Sequence, residues 1–143
     1  MIAIEGLAET RDCLCLAARR EARTITRLYE EALRPVGLKA TQFSVLAALA
    51  QMGTSTVTPL ADFLGVERTT LTRSTRLLEE RGLLTSVATE DQRERGLKVT
   101  PSGMELLAAA LPLWRRVQVE LTAGVATPQG SEGREPARKG SDR

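Results

Sequence analysis

The stretch TPLADFLGVERTTLTR, residues 58–73, decides the fold of this chain. It predicts one helix, a tight turn at Gly65 and a second helix. Ala61 is small enough to let two helices cross at close range, and Gly65 can adopt the left-handed backbone conformation that ends the first helix. Leu71, six residues after the glycine, is predicted to anchor the second helix in the core. The pattern is typical of a helix-turn-helix.

The predicted outward face of the second helix is basic and polar and holds no acid: Arg68, Thr69, Thr72, Arg73 and Arg76. Its three arginines lack a predicted acidic partner. A charge run is usually a solvated helix face. Because this run lies on the second helix of a helix-turn-helix, we instead expect it to enter a DNA major groove.

Composition agrees with a small helical domain. The 143 residues suffice for one domain with one modest core, and 42% of them are hydrophobic, which favours a globular chain. Only 3% are aromatic, so the core must consist mostly of Leu, Val and Ala. The net charge of +2 is too small to indicate nucleic-acid binding by itself, so the distribution of charge matters more.

Several function classes are disfavoured by what the sequence lacks. It has no histidine, the commonest general base and metal ligand, and no nucleophile–base pair, metal cluster or phosphate loop. We therefore predict no enzyme, no cofactor and no metal site. Cys13 and Cys15 are poorly spaced for a disulfide within one helix, which indicates reduced thiols in a cytoplasmic protein. No apolar run reaches the roughly 18 residues of a membrane span, and the start does not resemble a signal peptide.

Helices are predicted on both sides of the central motif. Apolar residues recur at helical spacing over 10–34, where Pro35 and Gly37 end the pattern, and again over 41–52, where Thr41 is a plausible N-cap. Pro59 suits the first turn of the next helix. The first helix is long for so small a domain, so we expect it to reach beyond one core and pack against a partner subunit.

A hairpin is predicted directly after the helix-turn-helix, whose second helix ends near Glu80 with Gly82 beyond it. Residues 83–89 favour a strand, 90–96 a polar turn, and 97–100 the return strand. The turn carries Arg93 and Arg95. Such a basic tip either is an ordinary solvated turn or reaches a DNA minor groove or backbone, and we favour DNA contact. Asp91 lies two residues before Arg93 and is predicted to hold its guanidinium in place.

A last helix is predicted to begin with Thr100 as N-cap and Pro101 in its first turn, and to be bent by Pro112. The fold class predicted is thus mainly α with a small β-hairpin (α+β), a winged helix-turn-helix. Residues 1–125 would form this domain. Residues 126–143, rich in Pro, Gly, Ser and charge, are predicted to be disordered.

The order of these elements resembles the MarR family of bacterial transcription regulators. The resemblance covers about residues 12–122 and is carried by LKATQFSVL (38–46), LADFLGV (60–66), RTTLTR (68–73), LLEERGL (77–83), DQR (91–93) and LKVTPSG (97–103). It implies a homodimer formed by helices 10–34 and 101–125, and a DNA-binding lobe over 38–100. It also implies pseudo-palindromic operators and a crevice between the lobes that takes small phenolic or lipophilic effectors.

The resemblance also implies roles for particular residues. The major-groove positions are held by Arg68, Thr69, Thr70, Thr72, Arg73 and Arg76. Arg93 falls on the wing-tip arginine and Asp91 on its orienting acid. Some relatives sense organic peroxides through a cysteine early in the first helix, which makes Cys15 a candidate redox sensor. The alternative, that Cys15 is a small buried hydrophobe, is favoured from the sequence.

One departure from the family pattern leaves a second function open. Members usually continue into a further apolar helical segment that completes the dimer interface, whereas residues 129–134 here read QGSEGR. The leading hypothesis is a dimeric DNA-binding regulator, a repressor that responds to a ligand or to oxidation. The alternative is a winged-helix protein-interaction module that does not bind DNA.

Overall fold

A computed structural model describes residues 2–91 and 93–125, so the predicted disordered tail at 126–143 lies outside the described residues. The described chain is mainly helical and includes one antiparallel hairpin, which confirms the predicted fold class. Its elements are α1 (Leu14–Leu33), α2 (Ala40–Met52), α3 (Val57–Leu64), α4 (Arg68–Glu80), β1 (Leu84–Ala88), β2 (Arg95–Val99) and α5 (Pro101–Val125).

The helix-turn-helix consists of α3 and α4, and it joins the core as predicted. Ala61 on α3 is buried, and Leu71 on α4 is fully buried. Gly65 has a φ of 65°, and the N–H of Val66 donates to the carbonyl of Ala61 at 3.1 Å. This reverse hydrogen bond closes the end of α3. Burial of each core leucine stabilises the fold by about 1.5–3 kcal/mol relative to exposure.

The hairpin pairs Leu84 with Val99 at its base and Ala88 with Arg95 near its tip. The return strand begins at Arg95, two residues earlier than predicted, so Arg95 belongs to the strand and not to the turn. Ser55, before α3, bridges to Leu97 through two backbone hydrogen bonds of 3.2 and 2.8 Å. This third pairing, which connects the loop before α3 to the hairpin, was not predicted from the sequence.

The start of α2 differs from the prediction, whereas Pro59 lies in the first turn of α3 as predicted. Helix α2 begins at Ala40, one residue before the predicted range, and Thr41 is not its N-cap. Instead the Gln42 side chain accepts a hydrogen bond of 3.0 Å from the Lys39 N–H. Helix α3 begins at Val57, which places Pro59 in its third position. A proline is still tolerated there because the first-turn N–H groups have no partner within the helix.

Helices α1 and α5 form two arms that extend from the lobe of residues 38–100. In helix α1 only Leu33 is buried. The helix also contacts α5, where the Tyr29 hydroxyl donates to the Gln118 side-chain oxygen. Short 3-10 turns flank α1 at Leu7–Asp12 and Arg34–Val36, in place of one continuous helix over 10–34. Helix α5 continues unbroken through Pro112. No helix within residues 2–91 and 93–125 has the length and apolarity needed to cross a membrane.

The chain just beyond α4 forms hydrogen bonds to the segment after α1 and to the start of α5. Gly82 has a φ of 71°, and the N–H of Leu83 returns to the carbonyl of Leu78 at 2.9 Å, as the predicted helix end requires. Arg81 donates from Nη1 to the carbonyl of Gly37, beyond α1, at 2.8 Å. The Thr100 hydroxyl donates to the carbonyl of Gly82 at 2.6 Å.

Thr100 also fixes the start of α5. Its Oγ1 accepts a hydrogen bond of 3.1 Å from the Gly103 N–H, which confirms the predicted N-cap. At Gly103 the helix lies directly against Leu83, in the turn between α4 and β1. A Cβ atom there would come within 2.2 Å of the Leu83 carbonyl oxygen and 2.7 Å of a Val99 methyl carbon. Only glycine lets α5 approach the hairpin base this closely.

We expect Gly103→Ala to lower the free energy of unfolding by at least about 2 kcal/mol, since the added methyl must displace backbone. Gly124 lies in the same helix with nothing within 4 Å of its Cβ position. Gly124→Ala should therefore be neutral or stabilising by up to about 1 kcal/mol through helix propensity. Urea unfolding of both variants checks this. Equal effects would show that the contact at Leu83 does not constrain the junction.

Candidate nucleic-acid-binding surface

Helix α4 separates a buried side from an exposed basic side. Leu71, Thr75 and Leu78 are buried at spacings of four and three residues, which fixes the rotation of the helix about its axis. All six side chains predicted to reach a major groove are exposed: Arg68, Thr69, Thr70, Thr72, Arg73 and Arg76. The structure thus presents to solvent the guanidinium and hydroxyl groups that bind base edges and phosphates.

One of these arginines has a partner that the sequence analysis overlooked. Arg76 Nε lies 3.3 Å from Glu80 Oε1, one helical turn further along. Both side chains are largely exposed, so the pair contributes little to stability. The expectation that all three arginines lack an acidic partner is therefore wrong for Arg76. Arg68 and Arg73 are exposed on the same helix without such a contact within the described residues.

The hairpin tip is organised differently from the prediction. Asp91 accepts a hydrogen bond at Oδ1 from the backbone N–H of Arg93, at 3.1 Å, and not from its guanidinium. Such a contact stabilises the turn itself. Glu94 completes the turn through its N–H, which donates to the carbonyl of Asp91 at 3.1 Å. The side chains of Arg93 and Arg95 are both exposed, as predicted.

Three of the predicted arginines converge on one cleft. The cleft has a volume of about 250 Å³ and lies between the hairpin tip, the first residue of α4 and the start of α3. Its lining comprises Thr56, Val57, Thr58, Arg68, Arg93, Glu94 and Arg95. Arg73 and Arg76 are not part of it. The sequence placed Arg68 and the hairpin arginines at two separate grooves, and gave no indication that they share a cavity.

A second cleft, of about 310 Å³, opens between α2, α3 and α5. Phe43 and Trp114 stack beside it with ring centroids 5.9 Å apart, and Phe63 is 68% exposed at its edge. These are three of the four aromatic residues in the chain. The family resemblance implied a crevice between the lobes without identifying its residues. The small number of aromatic residues was the one feature of the sequence that pointed to its lining.

Cys15 is exposed within the protomer, so the expectation of a small buried hydrophobe is wrong for the single chain. Its sulfur lies 3.7 Å from Nη2 of Arg19, one turn along α1. Cys13 is exposed as well. Tyr29, which shares the helix, is engaged with Gln118 and not with either thiol.

Comparison with known proteins identifies the fold. A model of the MarR family matches residues 38–94. The transcriptional regulator MosR of M. tuberculosis, solved in complex with DNA, is 45% identical, with 78% of this chain and 81% of that chain covered and a TM-score of 0.72. Apo MarR from E. coli is 26% identical, with coverages of 78% and 84% and a TM-score of 0.67.

A curated relative gives a shorter match. The uncharacterized HTH-type transcriptional regulator YwoH of Bacillus subtilis (strain 168) is 37% identical over 81 residues. That match takes in 57% of this chain and spans 59% of the relative's length. The family model, these relatives and the helical fold with its hairpin agree with one another. The chain belongs to the MarR family of transcriptional regulators.

Proposed function

We propose that this chain is a homodimeric repressor that binds a pseudo-palindromic DNA operator through α4 and the hairpin. The observation that carries this proposal is the exposed face of α4, where arginine and threonine side chains lie opposite a buried leucine face. That a 45% identical regulator was solved with DNA supports DNA binding over the protein-interaction alternative. The lobe of residues 38–100 would bind DNA.

The arms supply the surface for a second copy. Leu14 on α1 is 85% exposed, Val119 on α5 is 61% exposed, and Ile2 and Ile4 before α1 are exposed too. Exposed apolar side chains on both arms, and on the segment before α1, favour burial of this surface against another chain. A two-fold dimer would present two copies of α4, and half-sites one helical turn apart, roughly 34 Å, would accommodate them.

Within each half-site, affinity and selectivity would come from different contacts. Arginine contacts to phosphates would supply most of the affinity and its dependence on salt. Selectivity requires contact with base edges, and Arg73 is exposed near the middle of α4 and free of an ion pair among the described residues. An arginine can bind a guanine edge through two hydrogen bonds. The threonines of α4 could contact phosphates or a thymine methyl group.

Regulation would act through the apolar cleft between α2, α3 and α5. Its lining holds no charged side chain, and the lining residues with polar groups are Ser44, Gln51 and Trp114, the last through its indole N–H. A buried carboxylate or phenolate would find no cationic partner there, so the lining favours a small neutral lipophilic effector. Because α3 and α5 belong to the lobe and the arm, an occupant would favour one arrangement of the two and shift the population of DNA-binding dimers.

Oxidation of Cys15 is the second route of regulation that we propose. Its exposure makes the thiol accessible to a peroxide, and the sulfur lies 3.7 Å from Nη2 of Arg19. Cys15 lies in the first turn of α1. A polar oxidised sulfur at that point would disturb the apolar contacts that the arm is proposed to make in the dimer.

Operator binding is tested by selecting bound sequences from random duplex DNA. We expect an inverted repeat to be enriched, and Arg73→Ala to lose about 1–3 kcal/mol of discrimination at one base pair per half-site. Arg115→Ala removes the same group from an exposed position on α5, outside the DNA-binding lobe, and should retain that preference. If no repeat is enriched, the interaction-module alternative gains, and an unchanged profile in Arg73→Ala rules out its role as a base reader.

The apolar cleft is tested with two probes of similar shape, 2-naphthol and 2-naphthoate, by titration calorimetry at neutral pH. The alcohol should bind at least about tenfold more tightly, because the carboxylate must be desolvated without a partner. Phe63→Ala should weaken the binding of 2-naphthol, and binding should lower the affinity for operator DNA. Equal affinities for the two probes would contradict the assignment of a neutral effector.

The redox route is tested by treating the protein with cumene hydroperoxide before measuring operator affinity. We expect peroxide to weaken binding by the wild-type chain, and Cys15→Ser to abolish that response, since serine cannot be oxidised. Cys13→Ser is the matched control and should respond like the wild type. An equal response in the wild type and Cys15→Ser would eliminate Cys15 as the sensor.

A further inference from the structure

The cleft beside the hairpin tip gathers cationic groups from two parts of the chain that are distant in sequence. Arg68 begins α4, whereas Arg93 and Arg95 come from the hairpin. Within the part of the chain that the structure describes, none of the three guanidinium groups forms an ion pair. One carboxylate, that of Glu94, shares the lining. Three cations thus face one anion around a single cavity, which makes it a site for a negatively charged group.

We propose that this cleft binds one backbone phosphate of the operator, and that Arg68 clamps the DNA strand instead of reading a base. The proposal rests on the proposed function, that α4 enters a major groove. It changes the role expected of Arg68, because the sequence and the family pattern both placed that residue among the major-groove contacts. It also adds Thr56 and Thr58 to the DNA-contacting surface.

The geometry of duplex DNA supplies the first argument. A major groove and the neighbouring minor groove are separated by a single sugar-phosphate strand. A protein that places a helix in one and a hairpin tip in the other must therefore straddle that strand. The cleft lies at this position, between the first residue of α4 and the hairpin tip. The part of the DNA that would enter the cleft is therefore the sugar-phosphate backbone and not the edge of a base.

The chemistry of the lining supplies the second argument. A guanidinium presents a planar set of N–H donors that matches the oxygens of a phosphate. The hydroxyl groups of Thr56 and Thr58 can donate to the same oxygens. By contrast, Arg73 does not line the cleft and lies more than one turn further along α4. Arg68 and Arg73 would then have different roles, with Arg68 on the DNA backbone and Arg73 on a base.

The experiment measures the affinity of the full chain for its selected operator and for a scrambled duplex over a range of salt concentrations. Arg68→Ala should weaken binding to both duplexes by the same factor, and should make the slope of log K against log salt shallower by about 1.8, the value for one lost phosphate contact in each of the two half-sites. The ratio of the two affinities should not change. Arg68→Lys keeps the charge and should keep the slope.

Two further variants make the assignment specific. Arg73→Ala removes the same charge from the same helix but should lower the ratio of operator to scrambled affinity. Glu94→Gln removes the carboxylate from the cleft and should tighten binding to both duplexes. If Arg68→Ala lowers the affinity ratio, or leaves the slope and both affinities unchanged, the phosphate assignment is overturned. A wild-type chain that does not prefer its selected operator would instead sink the proposed function itself.

Discussion

The close contact between the first turn of α5 and the turn that joins α4 to β1 is the constraint on which the rest of the structure depends. Gly103 lies against the Leu83 carbonyl, and Thr100 bonds both to Gly82 and to the Gly103 N–H. This contact leaves no room for a side chain. It therefore fixes the angle at which the arm leaves the lobe, and with it the direction in which α4 faces.

Helix α1 has few buried residues, so the proposed DNA-binding surface is positioned by the core of the lobe. The lobe contains nearly all of the buried leucines, so it holds α3, α4 and the hairpin together. The bridge from Ser55 to Leu97 adds the loop before α3 to this unit. The cleft of three arginines is consequently formed by elements that move together, which would make it a preorganised anion site.

Local features of the fold were predictable because local chemistry determines them. Gly65 and Gly82 end helices through positive φ, and Thr100 caps α5 through its own hydroxyl, so each could be inferred from a few neighbouring residues. The cleft at Arg68 and the bridge at Ser55 depend on contacts between distant segments, which periodicity does not encode. Asp91 is a second example. Its spacing predicted a contact with Arg93, but spacing does not determine whether the backbone N–H or the guanidinium donates the hydrogen bond.

Arg81 and Thr100 connect the chain just beyond α4 to the segments that lead into both arms, and this makes the lobe a lever that would turn as one body. Its pivot is the C-terminal end of α4, where the hydrogen bonds to Gly37 and Gly82 lie, and Arg68 lies at the opposite end of the helix. The 13 residues of α4 span about 20 Å, so a rotation of about 5° about the pivot would displace Arg68 by about 1.7 Å. A hydrogen bond does not survive such a displacement. A very small change in how the arms cross would thus be amplified into loss of contact at the far end of the helix.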